Sequence, residues 1–219
     1  MVETRALAIE NTHLRAGGRA WRLDEIDAVV AVVRPAGVAL HCDGARIWNA
    51  SVATGISLAD YGRRFATLSV CLSKGLGAPV GSLVIGTDDG IGRARVLRRQ
   101  LGGAMRQVGI IAAGGLHALH HHIDRLADDH RRAHQLAVAL ADAAPGCVDP
   151  ASVETNIVLF EVGDANDFVA RAALAGVLLG AISPTMVRAV THLDVDDEQL
   201  ASASEVLRRL LAPAPPAAG

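Results

Sequence analysis

The sequence has almost no lysine. It contains twenty arginines but a single lysine, Lys74, among 219 residues. Arginine supplies positive charge, whereas only lysine readily loses its proton and attacks a carbonyl carbon as a neutral amine. The retention of Lys74 therefore indicates a chemical task that arginine cannot perform. The alternative interpretation is an ordinary solvated loop lysine.

Cysteine is also scarce, and its pattern excludes a disulfide-stapled fold. Cys42, Cys71 and Cys147 are odd in number and show no CxxC spacing, which is typical of a reducing compartment. The first ten residues, MVETRALAIE, include an acid and an arginine and no long apolar run. We therefore expect no signal peptide and a cytoplasmic location.

Long apolar runs and an excess of one charge are absent as well. The most apolar stretch, residues 28–40, is interrupted by Arg34 and Pro35 and is too short to cross a bilayer. The formal net charge of -2 gives no reason to expect a nucleic acid or an anionic membrane as partner. What remains, 51% hydrophobic and 20% charged residues, is typical of a globular chain with a sizeable core.

Hydrophobic periodicity predicts strands alternating with helices, and hence an α/β fold with a mainly parallel sheet. The predicted strands are Leu7–Ile9, Val38–Cys42, Thr67–Leu72, Ser82–Ile85, Ile157–Glu161, and a strand pair around Val177–Ile182 and Met186–Val190. The predicted helices are Leu23–Val33, Ala45–Thr54, Asp88–Leu101, Val108–His122, Asp124–Ala143, Asp164–Ala175 and Asp196–Leu211.

Polar residues stand at the predicted carboxyl ends of two strands, where ligands bind in open α/β sheets. Asp43 directly follows Val38–Cys42, and Lys74 follows Thr67–Leu72 and precedes Gly75, Gly77 and Gly81. Pyridoxal phosphate enzymes need such a pair, since a lysine forms a Schiff base and a carboxylate keeps the pyridine nitrogen charged. The pair therefore favours a pyridoxal 5'-phosphate site.

Other interpretations of these side chains stay open. Asp43 could cap the helix Ala45–Thr54, and Ser73 beside Lys74 could suggest a serine–lysine hydrolase, although no nucleophile-elbow pattern is present. Histidines lie four residues apart twice, as can occur at zinc sites, but with no obvious third ligand, so we expect no metal site. These pairs are His117 with His121, and His130 with His134.

Five segments together resemble the low-specificity L-threonine aldolase family, within the β-eliminating lyase group of fold type I pyridoxal phosphate enzymes. Leu14, Cys42 and Ala104 depart from the residues that are commoner in that family at these positions. The resemblance spans nearly the whole chain. Its segments are ENTHLRAGGR (10–19), HCDGARIWNA (41–50), SVCLSKGLGAPVGS (69–82), GGAMRQ (102–107) and VRAVTHLDVDDE (187–198).

The resemblance implies retro-aldol cleavage of L-threonine or L-allo-threonine to glycine and acetaldehyde, in a homo-oligomer that is a dimer or tetramer in the family. It also implies a role for each of six residues. Three residues would bind the cofactor: Lys74 its aldehyde, Asp43 its pyridine nitrogen and Arg106 its phosphate, the last across a subunit interface. Arg46 would lie near the phenolic oxygen of the cofactor. His13 would face the substrate hydroxyl, and Arg188 would bind the substrate carboxylate.

The resemblance further implies the domain organisation. Family chains begin more than a hundred residues before ENTH, so we expect residues 1–123 to be the C-terminal part of the cofactor-binding large domain. Residues 124–212 would be a small α/β domain and residues 213–219 a disordered tail. Two alternatives remain: a catalytically incompetent fragment that serves as an assembly or binding module, or another β-hydroxy-amino-acid aldolase or β-eliminating lyase.

Overall fold

The computed structural model describes residues 2–212. The tail predicted at residues 213–219 lies outside the described residues. The strands of the structure are β1 Ala6–Glu10, β2 Ala39–Gly44, β3 Thr67–Cys71, β4 Ser82–Ile85, β5 Ile157–Glu161, β6 Gly180–Ala181 and β7 Met186–Val190. Its helices are α1 Leu23–Val33, α2 Ile47–Thr54, α3 Leu58–Gly62, α4 Asp88–Gln100, α5 Gly109–His121, α6 Leu126–Ala143, α7 Ala165–Leu174 and α8 Asp197–Leu211.

The chain divides into two compact units. The first comprises the residues up to His13 together with residues 19–127, and the second comprises Leu14–Gly18 together with the residues from Asp128 onward. Each unit has its own apolar core. None of the helices among residues 2–212 is long and apolar enough to cross a membrane.

The first unit contains a four-stranded sheet in the order β1-β2-β3-β4. β1, β2 and β3 run parallel, and β4 pairs with β3 in the antiparallel sense. Burial alternates along β2: Leu40 and Cys42 are buried, whereas His41 and Asp43 are half-exposed. Because side chains alternate along a strand, one face of this sheet carries the core and the other carries the polar residues.

The second unit is built on an antiparallel sheet in the order β5-β7-β6. Its core includes Phe160, Phe168 and Leu207, and the rings of Phe160 and Phe168 meet edge to face with centroids 5.6 Å apart. The buried Thr155 donates from Oγ1 to the Gly18 carbonyl at 2.8 Å. This bond attaches the short segment Leu14–Gly18 to the second unit.

The predicted α/β architecture with a mainly parallel first sheet is confirmed, but the bounds of two elements were wrong and one short helix was missed. The helix predicted at Ala45–Thr54 begins only at Ile47, since residues 45–46 form a turn. The strand predicted around Val177–Ile182 reduces to the two-residue β6, although it does pair with the predicted strand Met186–Val190, which is β7. α3 was not predicted; it is short, and Ser57 caps it by accepting a hydrogen bond from the Asp60 amide at 3.0 Å.

Candidate active site

The carboxyl ends of the three parallel strands meet at one edge of the first sheet. The strand register pairs Glu10 with Asp43, and Asp43 with Ser69. Paired residues project to the same face, so these three side chains form a row on the polar face. This row, together with the loop after β3, gathers titratable groups from strands that are far apart in the sequence.

Asp43 is the central member of this row. It lies within β2, which extends to Gly44, rather than directly after the strand as the sequence predicted. Its Oδ1 accepts a hydrogen bond from the Ala45 amide at 3.0 Å. The predicted alternative of a helix cap was wrong, because α2 begins at Ile47 with Arg46 as its N-cap. Oδ2 accepts no hydrogen bond from residues 2–212, so it is available to a donor outside them.

Gly44 makes the tight turn after Asp43 possible. A Cβ at this position would lie 3.1 Å from the Ser69 carbonyl oxygen and 3.3 Å from the Ile47 Cβ. Such distances are shorter than ordinary van der Waals contact, so a larger residue would displace β3 or α2. Gly44 thus fixes Asp43 close to the neighbouring strand.

Lys74 lies in the loop that joins β3 to β4. Three backbone hydrogen bonds organise this loop: Leu72 N–H to Gly81 O at 2.9 Å, Ala78 N–H to Leu72 O at 3.0 Å, and Gly77 N–H to Lys74 O at 2.8 Å. The Lys74 side chain is exposed. Within the described part of the chain its ammonium has no hydrogen-bond or ion-pair partner.

The loop is anchored although Lys74 itself is exposed. Leu76 is fully buried in the core of the first unit. A Cβ on Gly75 would come within 2.9 Å of Leu126 Cδ2, and Gly77 has a φ of +67°, which favours glycine. The Trp48 indole donates from Nε1 to the Cys71 carbonyl at 2.8 Å and holds the end of β3. Lys74 is therefore presented from a fixed backbone.

The other residues of the first unit that the sequence singled out are placed as follows. Arg46 is half-buried at the start of α2. Arg106 is exposed in the segment between α4 and α5. His13 is 46% exposed, with its Nε2 3.4 Å from Glu10 Oε2. Glu10 was not predicted as a site residue, although its place in the ENTH motif offered the signal.

Arg188 belongs to the second unit. It lies on β7, opposite Leu159 on β5 and Gly180 on β6. A Cβ on Gly180 would come 3.4 Å from Arg188 Nη2, so the guanidinium packs over a position that only a small residue leaves open. Its Nε is buried without a hydrogen-bond partner among the described residues. Arg188 itself is half-buried, and a guanidinium with a donor to spare is suited to bind a carboxylate.

Two further polar groups beside the site were not predicted. Asn11 and Thr12 are fully buried at the end of β1, and the peptide bond between them is cis. Asn11 Oδ1 accepts from the Trp21 amide at 3.2 Å. Asn11 Nδ2 and Thr12 Oγ1 have no hydrogen-bond partner within residues 2–212. Because such groups are costly to bury unpaired, they mark a place that suits a polar ligand or partner.

The histidines in the last turns of α5 and directly after it lie close together. The ring centroids of His117 and His121 are 4.6 Å apart, and those of His117 and His122 are 5.1 Å apart. Among the residues described, no group of three or more histidine, cysteine or acidic side chains is arranged to hold a metal ion.

Comparison with known proteins decides the family. Residues 1–164 match the beta-eliminating lyase family. The chain belongs to this family. It is 41% identical over 215 residues to the low specificity L-threonine aldolase of Escherichia coli, covering 95% of this chain and 61% of the relative. It is 37% identical over 194 residues to low-specificity L-threonine aldolase 1 of Arabidopsis thaliana, covering 86% of this chain and 54% of the relative. These relatives confirm the predicted resemblance.

Solved structures confirm the fold of this beta-eliminating lyase family member. The threonine aldolase of Leishmania major superposes with a TM-score of 0.74 at 21% identity, covering 97% of this chain and 63% of that one. An aspartate aminotransferase of Thermotoga maritima superposes with a TM-score of 0.71 at 17% identity, covering 95% and 56%. At such identities the likeness concerns the fold alone. The chain spans between one half and two thirds of the length of these proteins.

Proposed function

We propose that the chain carries the lysine-bearing part of a pyridoxal phosphate-dependent aldolase that cleaves L-threonine or L-allo-threonine to glycine and acetaldehyde. One observation carries the proposal. Lys74, the single lysine of the chain, is exposed without a partner among the described residues just beyond β3, while Asp43 offers a carboxylate oxygen near the end of the neighbouring strand β2.

The residues present fit the cofactor. Lys74 would bind its aldehyde carbon, and the free Oδ2 of Asp43 would hold the proton on its pyridine nitrogen. Arg46 would lie near the phenolic oxygen, and Arg106 would bind the phosphate. When bound, pyridoxal phosphate supplies an electron sink for negative charge that develops at the substrate Cα.

The remaining residues act on the amino-acid substrate. The Arg188 guanidinium would bind the carboxylate, and the orphaned Nε gives it a donor to spare. His13 would accept the β-hydroxyl proton, and Glu10 Oε2, 3.4 Å from its Nε2, would stabilise the positive ring that results. Loss of that proton is what drives cleavage of the Cα–Cβ bond and release of an aldehyde.

We extend the proposal to the organisation of the chain. The first unit would be the cofactor-binding part and the second unit the small domain that carries Arg188. Arg106 stands on an exposed segment, as a residue that reaches the site of a second copy would. The thiols of Cys42, Cys71 and Cys147 are free, which supports a cytoplasmic location.

The test is a titration of the purified chain with pyridoxal phosphate, followed by visible absorbance. We expect a saturable band for the parent chain and none for Lys74→Ala or Lys74→Arg. Lys74→Arg is the matched control because it keeps the positive charge but cannot bond covalently to the aldehyde. Identical spectra for all three proteins would overturn the proposal.

Product analysis separates the aldolase from a β-eliminating lyase. Incubation with threonine yields acetaldehyde and glycine for the aldolase, whereas incubation with serine yields pyruvate and ammonia for a lyase. We expect the first pair alone, and Lys74→Ala should abolish it.

A second candidate function is that of an assembly module, in which the chain binds a second copy of itself. Exposed apolar side chains favour it, because they cluster in β4 and the segments around α4 and α5. Leu83, Val84 and Ile85 are between 42% and 56% exposed, and Leu101, Met105 and Ile110 between 60% and 88%. Sedimentation velocity of the parent and Ile110→Asp would test it; a monomer in both cases would contradict assembly of the chain with itself.

A further inference from the structure

A histidine at the end of α5 is hydrogen-bonded to the loop that carries Lys74. His122 Nδ1 lies 2.6 Å from the carbonyl oxygen of Leu76, which is 46 residues earlier in the chain. A carbonyl oxygen can only accept, so Nδ1 is the donor. The same geometry holds for the neutral and the charged imidazole, since both can carry a proton on Nδ1.

α5 supports the same loop at two other points through glycines. A Cβ on Gly114 would come 2.9 Å from Pro79 Cδ, and one on Gly115 would come 3.0 Å from Leu72 Cδ1. These two residues lie on the first turns of the helix, whereas His122 directly follows its last residue. The helix therefore touches the loop before, within and after the turn that begins at Lys74.

The bond from His122 adds a side-chain contact to a turn that is otherwise organised by backbone hydrogen bonds. Gly77 N–H binds the Lys74 carbonyl and Ala78 N–H binds the Leu72 carbonyl. Among residues 2–212, the Leu76 carbonyl accepts its hydrogen bond from the His122 side chain. The ring of His122 is itself held by His117, whose ring meets it edge to face at 88°.

We propose that His122 is a positioning residue for Lys74, acting as a strap that holds the Lys74–Gly77 turn against α5. The claim that Lys74 reacts with the cofactor rests on the proposed function, whereas the strap itself does not. Without the hydrogen bond from His122, the turn that carries Lys74 would open more often.

The single lysine gives a direct test that needs no cofactor. A lysine-specific endoproteinase can cut this chain only after Lys74, and native cleavage requires the turn to open. We expect His122→Ala to be cut about fivefold faster than the parent chain, as the loss of one half-buried hydrogen bond implies. His122→Asn should be cut within about twofold of the parent rate, because its side-chain amide can donate to the same carbonyl.

His120→Ala is the matched control, since His120 is exposed in the last turn of α5 and its ring lies against that of His121. It should be cut at the parent rate. Unfolding in denaturant, measured for each variant, separates local opening of the turn from global unfolding. The inference is overturned if His122→Ala is cut at the parent rate, if His122→Asn is cut as fast as His122→Ala, or if the global unfolding constant accounts for the whole change.

The cofactor titration then distinguishes the two proposals. If the parent chain gives no absorbance band while the cleavage contrast holds, the proposed function fails and the strap stands. If the band forms equally well in the parent, His122→Ala and His122→Asn, at equal cofactor concentrations for half-saturation, then His122 does not position Lys74 for the cofactor. We expect weaker binding in His122→Ala, by about fivefold, and recovery in His122→Asn.

Discussion

Thr155 and Gly18 form a buried hydrogen bond across 137 residues of sequence, from Thr155 Oγ1 to the Gly18 carbonyl at 2.8 Å. The two residues are also in close packing, because a Cβ on Gly18 would collide with that oxygen. The bond joins the short segment Leu14–Gly18 to the residues that directly precede β5. We therefore expect it to matter for the stability of the second unit.

The change Thr155→Val keeps the shape of the side chain but leaves the Gly18 carbonyl without its donor. We expect the free energy of unfolding to fall by about 2 kcal/mol, within the range for an unsatisfied buried polar group. Thr155→Ser keeps the hydroxyl and loses only a methyl group, so it should cost about 1 kcal/mol. Urea denaturation checks both values, and a larger loss for the serine variant would contradict the role of the bond.

Asp43→Asn separates the structural from the chemical role of Asp43. Asparagine retains an oxygen that can accept from the Ala45 amide, so stability should change by less than about 0.5 kcal/mol. It loses the charge that would hold a proton on the pyridine nitrogen. We expect threonine cleavage to fall by at least about 100-fold, measured as glycine formed.

Asp43→Ala is the companion to this variant. It removes both roles, so it should lose activity and also about 1 kcal/mol of stability. If Asp43→Asn retained full activity, the assignment of Asp43 to the cofactor would be wrong.

His130 should make stability depend on pH. Burial lowers the pKa of His130 to about 4 from its ordinary value of 6.5. Between these two values the unfolded chain binds the proton and the folded chain does not, so protonation favours unfolding. Stability that is fully present above pH 6.5 is therefore lost as the pH falls towards 4, by about 3 kcal/mol at most.

Denaturant unfolding at pH 7, 5.5 and 4.5 measures this effect. His130→Gln should flatten the profile over that interval. His134→Gln, four residues further along α6 and exposed, is the matched control and should retain the parent profile. Parallel profiles for the parent and His130→Gln would show that His130 does not titrate as described.

Cys42 should resist alkylation. It is fully buried on the core side of β2, and burial raises the pKa of its thiol to about 12 from 9.0. The thiolate fraction at neutral pH is then about a thousandfold below that of an unshifted cysteine. Iodoacetamide labelling followed by mass spectrometry should find Cys71 and Cys147 modified well before Cys42. Equal labelling of all three in the folded chain would contradict the buried placement, and equal labelling in urea is the control.

Local patterns predicted the regular elements well. The bounds of α1, β4, β5 and β7 agree with those predicted from hydrophobic spacing, because that spacing is a property of neighbouring residues. The prediction of helix bounds failed where a specific side-chain hydrogen bond, and not hydrophobic spacing, determines where a helix begins, or where a helix is very short. α2 starts late because Asp43 ties down the Ala45 amide, and α3 has only five residues, too few to show a helical repeat.

The candidate site could be predicted in part for the same reason. The rule that ligands bind at the carboxyl ends of parallel strands located Asp43 and Lys74, since it needs only the strand order. The bond between His122 and Leu76 could not be predicted, because it joins residues 46 positions apart with a geometry that depends on packing. The burial of Asn11 and Thr12 is equally a product of the assembled fold.

The alternation along β2 limits which insertions and deletions evolution can tolerate there. Leu40 and Cys42 face the core, whereas Asp43 lies on the polar face of the sheet. The loss of one residue between Ala39 and Asp43 would therefore turn the Asp43 carboxylate towards the core and expose a core residue. Length changes in this strand must therefore occur in pairs. The loop after the glycine-capped end of α2, at Gly55, has no such even-number constraint on its length. We therefore expect related chains to vary in length after α2 and to have a constant number of residues in β2.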